Sequence, residues 1–167
     1  MRFTIRHIIE TDVDTFWELF FAEDYNEAMF RGALKFHNYE VVSLTRDDDG
    51  SVKRRTDNAP PLELPPALKR VVGDLSSYIE DGRFEGKSKR WTADVTPSTM
   101  ADKIRTHVEL RVEPRGDKRC ERIADIDVTV KIFGVGKVME RFIEQQTRDA
   151  YDDSAGFTNT WIADKGL

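Results

Sequence analysis

A chain of 167 residues is long enough for one domain with a substantial core, and its 39% hydrophobic and 34% charged residues exclude a disordered polymer. Thirty-one acidic against 26 basic residues give a net charge of −5, which argues against a general nucleic-acid binder. The single cysteine, Cys120, excludes an internal disulfide and a cysteine-built zinc site.

Residues 2–9 alternate, with Phe3, Ile5, His7 and Ile9 on one face and Arg2, Thr4 and Arg6 on the other, the pattern of a half-buried strand. Arg6, His7 and Glu10 interrupt any apolar run that would serve as a secretory signal. Thr11 is expected to open a helix, with Asp14 three residues on, and Val13, Phe16, Trp17 and Phe20 form its apolar stripe. A second short helix follows Glu23-Asp24, burying Tyr25, Met29, Phe30 and Ala33.

From about residue 38 the period becomes two. Strands Tyr39–Arg46 and Ser51–Asp57 flank the turn Asp47-Asp48-Asp49-Gly50. The proline-rich stretch 58–66 reads as a connector into a short helix, 67–72. Strands are expected at 75–80 and, past a turn at Asp81-Gly82, at 83–95. Two longer ones follow. In 103–113, Ile104, Thr106, Val108, Leu110 and Val112 share a face; in 119–133, Ala124, Ile126, Val128, Val130 and Ile132 do. After Gly134-Val135-Gly136 the period returns to 3.6. Met139, Phe142, Ile143, Gln146, Ala150, Phe157 and Trp161 mark one long helix from Lys137 to Ala163. Strands in succession with segregated helices mean an α+β fold, an antiparallel sheet of six to seven strands beside one long helix. No stretch approaches the roughly 18 apolar residues of a membrane helix, and with one cysteine a cytoplasmic protein is expected.

The opening Phe3-Thr4-Ile5-Arg6-His7, the helix Asp12-Val13-Asp14-Thr15-Phe16-Trp17-Glu18-Leu19-Phe20, a mid-sheet strand beginning at Trp91, and the ending Gly134-Val135-Gly136-Lys137-Val138-Met139-Glu140-Arg141-Phe142-Ile143 together resemble the START-like superfamily. That superfamily, also called helix-grip or SRPBCC, includes polyketide cyclases, and the chain is most similar to an uncharacterised bacterial branch of it. The resemblance runs through nearly the whole chain and implies one START-like domain, 1–167, with a curved sheet wrapped around the C-terminal helix. It also implies a cavity beneath that helix for a hydrophobic small molecule or lipid.

The residues themselves add candidates. Gly134-Val135-Gly136-Lys137 sits between strand and helix like a dinucleotide fingerprint, but Met139 stands where the third glycine belongs, and a tight turn explains it better. His7, His37 and His107 lack the spacing of a metal site. His7 shares the inward face of its strand and is the best candidate for a polar group in the cavity; His107 should face solvent. Gln146 and Thr106 are polar positions on otherwise apolar faces. Asp125 and Asp127 should lie outward, paired across strands with Arg119, Arg122 or Lys131. Lys53-Arg54-Arg55, with Arg83, Lys87, Lys89 and Arg90, reads as a charged outer face, or as a patch for transient membrane contact.

The expected cavity lining is His7, Phe16, Trp17, Phe20, Trp91, Thr106, Val108, Leu110, Ile126, Val128, Phe142 and Gln146, with no metal, cofactor or nucleic acid, in a monomer or homodimer. A carrier or sensor is the leading expectation. An enzyme of the cyclase or hydratase kind using His7, or a protein-interaction scaffold, are the alternatives.

Overall fold

The structure, a computed structural model, describes residues 1–73 and 75–167. Its elements are β1 (Arg2–Ile9), α1 (Val13–Phe20), α2 (Glu23–Glu27) continuing into a π-helical turn (Ala28–Ala33), β2 (Asn38–Arg46), β3 (Val52–Ala59), α3 (Pro66–Val72), β4 (Tyr78–Glu85), β5 (Arg90–Pro97), β6 (Ile104–Pro114), β7 (Cys120–Val130) and α4 (Gly136–Lys165). All seven strands pair antiparallel in the order β1-β7-β6-β5-β4-β3-β2. The expected α+β helix-grip architecture is thus present, with the upper strand number. Among the described residues no helix is long and apolar enough to cross a membrane.

The inward faces follow parity. On β7, Ala124, Ile126 and Val128 are essentially sealed from water, and on β6 Ile104, Val108 and Leu110 are buried. Asp125 and Asp127 face outward as expected, but their partners differ from those the sequence suggests. Asp127 pairs with Arg2 at 2.7 Å, and Asp125 with Arg111 and with the Thr4 hydroxyl at 2.6 Å. Arg119 instead reaches Glu10 at 3.0 Å, and Arg122 points inward.

Three local expectations are corrected. The cap of α1 is Asp12 and not Thr11: its Oδ1 accepts the amides of Asp14 and Thr15, both at 2.9 Å. Asp81-Gly82 is not a turn. Both residues lie inside β4, and the chain reverses at 86–89. Gly82 is needed where it stands because the Trp91 indole from β5 lies over it; a Cβ there would meet Trp91 Cζ2 at 1.7 Å. β7 ends at Val130, so Ile132 belongs to the following turn. That turn is tight: the Gly136 amide bonds the Ile132 carbonyl at 2.9 Å, and a Cβ on Gly136 would come within 2.7 Å of the Val130 carbonyl oxygen.

From there α4 runs for 30 residues, about 45 Å at 1.5 Å per residue. Met139, Ser154, Ala155, Thr158 and Ile162 are its buried positions. α1 and α2 close one side of the space between helix and sheet. Their aromatic residues form a connected cluster in which Trp17 and Phe20 meet edge to face at 5.3 Å and Phe20 meets Trp91 at 5.2 Å.

Candidate functional site

The sheet and α4 do not pack flush. Between them lies a cavity of about 440 Å³, within the range of small-molecule sites. Its floor is built from alternate residues of β4, β5, β6 and β7, its roof from α4 between Met139 and Ser154, and its flank from α1, α2 and the segments around 60–62 and 75–78. Period-two strands put one apolar residue in every two onto the floor, and the 3.6-residue period of α4 lays one stripe over them. Aromatic and aliphatic side chains therefore dominate the walls.

Nine of the twelve residues expected to line the cavity do so: Phe16, Phe20, Trp91, Thr106, Val108, Leu110, Ile126, Phe142 and Gln146. Gln146 is exposed at the rim and not buried as its place on the stripe suggests. Three residues lie elsewhere. Trp17 is turned into the core against Phe84, ring centroids 4.6 Å apart. Val128 is fully buried in the core, two residues from the Val130 amide that donates to the Glu140 carboxylate on α4. His7 faces inward but is drawn to the flank of α4, its Nε2 bonding Asp152 Oδ1 at 2.7 Å, behind Arg122.

Two arginines expected on the outer face point inward instead. Arg122 on β7 and Arg54 on β3 share parity with apolar inward residues, and both line the cavity at 7% exposure. Arg54 donates to the Phe20 carbonyl at 2.9 Å, lies over the rings of Phe20 and Trp91 at 4.7 and 4.9 Å, and has Glu80 at 3.8 Å as its counter-charge. Glu80 and Tyr78, two residues apart on β4, also line the cavity. Burial raises the Glu80 carboxyl above its ordinary range, and Arg54 only partly offsets this.

Arg122 donates to Ser154 Oγ at 3.0 Å, to the Tyr151 carbonyl at 2.8 Å and to His7 Nδ1 at 3.1 Å, and its guanidinium lies 4.8 Å over the Tyr151 ring. Because Nδ1 accepts, the proton of neutral His7 is on Nε2 and goes to Asp152. Burial lowers the His7 pKa and Arg122 lowers it further, against the pull of Asp152. Burial pushes the Tyr151 phenol up to about 12 and raises Tyr25 and Tyr78 as well, so all three remain neutral donors. The Thr158 hydroxyl donates to the Ser154 carbonyl at 2.6 Å, which leaves Tyr25 as donor to Thr158, also at 2.6 Å. Cys120 is buried, its thiol pushed up to about 11, and so is unreactive. Among the described residues no cluster of three or more His, Cys, Asp or Glu is disposed to hold a metal ion.

A second hollow of about 860 Å³ lies mainly on the outer face of β1, β7, β6 and β5. It is larger but more polar, and several of its charged groups pair with one another: Arg2 with Asp127, and His107 with Asp94 at 2.7 Å. The interior cavity, apolar with a few inward polar groups, is the better ligand site.

The chain belongs to the family described as protein of unknown function, DUF2505, whose model matches residues 4–162. No curated protein sequence matches it. In fold it is similar to norcoclaurine synthase from Thalictrum flavum, solved as a point mutant with a transition-state analogue. The TM-score is 0.68 at 16% identity, covering 100% of this chain and 98% of that one. It is also similar to the Zhui aromatase/cyclase from Streptomyces sp. R1128 (TM-score 0.65, 10% identity, 95% and 93% coverage). A third similar structure is a START superfamily protein from Mycobacterium smegmatis (TM-score 0.62, 10% identity, 96% and 98% coverage). The fold is therefore START-like, as the sequence resemblance implies.

Proposed function

We propose that this chain, as a single START-like domain spanning residues 1–167, holds one hydrophobic small molecule or lipid in the cavity beneath α4, as a carrier or sensor. The observation that carries this reading is the cavity itself: about 440 Å³ between sheet and helix, bounded mainly by aromatic and aliphatic side chains. The START-like fold of the similar structures supports it. The proposed setting is the cytoplasm, consistent with one free cysteine and no disulfide.

A second reading, acid–base chemistry on the bound molecule, rests on Glu80. This carboxyl faces the cavity, is held toward its protonated form by burial, and has Tyr78 beside it on the strand. His7 is less suited to that role, since both ring nitrogens are engaged by Asp152 and Arg122.

Native mass spectrometry of protein purified without detergent tests both readings. The expected spectrum contains the chain plus one small molecule, released on denaturation. A spectrum of bare chain, from protein that also takes up no added apolar compound, contradicts the binding reading. Recovery of the added compound unchanged in mass after prolonged incubation speaks against catalysis.

A further inference from the structure

The two arginines facing the cavity differ in one respect. Arg54 has a carboxylate, Glu80, at 3.8 Å. Around Arg122 every acceptor is neutral: a hydroxyl, a carbonyl and an imidazole nitrogen. Among the described residues no carboxylate oxygen comes within 4.0 Å of its guanidinium; Asp152, held by His7, attracts its charge only from farther away. Three of its five N–H donors are used by these contacts, and Nε is buried with no partner at all.

An arginine keeps its charge even when buried, and an interior cation without a counter-ion is among the least favourable arrangements a folded chain can hold. The other charged groups lining the cavity do not offset it. Glu80 lies 3.8 Å from Arg54, and Asp149 and Asp153, which border the cavity on α4, are exposed. Arg122 is thus the cavity-lining charge with no carboxylate in contact among the described residues.

We infer that the occupant is an amphipathic carboxylic acid, its apolar body against the aromatic flank of α1 and its carboxylate turned toward Arg122. This rests on the binding reading above and narrows it to a class. A neutral donor close to Arg122 fits such a group as well: the phenol of Tyr151, kept protonated by burial. An amine-bearing ligand would instead bring a second cation to this end of the chamber.

The test uses the whole chain loaded with Nile red, a neutral apolar dye, and displaces the dye with dodecanoate, dodecanol and dodecylamine below their micellar concentrations. Dodecanoate is expected to displace at roughly tenfold lower concentration than the alcohol or the amine. Arg122→Gln should bring the acid to the level of the alcohol. Equal displacement by acid and alcohol in the unmutated chain overturns the acid assignment whether or not the variant folds, as does an acid preference that survives in Arg122→Gln. Failure of the dye to bind at all overturns the cavity reading, and the acid assignment with it.

Discussion

Arg122 and His7 form a contact that depends on which ring nitrogen carries the proton. Nδ1 accepts from Arg122 and Nε2 donates to Asp152, which only the neutral imidazole can do together. Burial lowers the His7 pKa in the folded chain below its ordinary 6.5, so the unfolded chain binds this proton more readily. The sign follows: the contribution of His7 is complete above about pH 6.5 and is lost as pH falls through the lowered folded-state value. Urea midpoints measured between about pH 7.5 and pH 5 should therefore fall for the natural chain and fall less for His7→Gln. Identical slopes in both proteins would contradict the assignment. At this scale the sequence was half legible. Parity alone put Arg122 with Ala124 and Ile126, and Arg54 with Val52, on inward faces. The expectation that charged residues face water hid both, because a buried arginine is unfavourable unless something in the interior needs it.

The elements were more legible than their boundaries. Period-two alternation indicated all seven strands, and the 3.6-residue stripe located α4, because burial against one face imposes those periods wherever an element lies. The boundary between β4 and β5 was displaced by Asp81-Gly82, residues that usually turn a hairpin. Here a tertiary requirement prevailed. Trp91, 2% exposed, lays its indole across β4, and only glycine leaves room for it. Gly82→Ala should cost about 1–3 kcal/mol in chemical denaturation, the usual penalty for overpacking a tight site. Trp91→Phe in the same chain should recover part of that loss, because the two residues share one contact. Simple addition of the two costs would mean that Gly82 is there for its backbone and not for the indole.

At the scale of the molecule, the α+β class and its START-like form could be read from element order, since a helix of 30 residues needs a surface as long as a curved sheet to lie on. What no periodicity could tell is whether the layers between sheet and helix touch. Apolar residues that fill a core and those that line a chamber have the same pattern; the difference is a few ångströms of separation. Nine of the twelve expected lining residues surround the cavity because they occupy facing positions on β5, β6, β7, α1 and α4. Trp17, Val128 and His7 fall outside it because local contacts draw them aside. The most direct test of a ligand-holding cavity compares Nile red binding by the natural chain and by Val108→Trp, which fills the floor of the chamber. The account predicts saturable binding of one dye per chain, weakened roughly tenfold or more by Val108→Trp without loss of thermal stability. Equal dye binding by two equally folded proteins would contradict it.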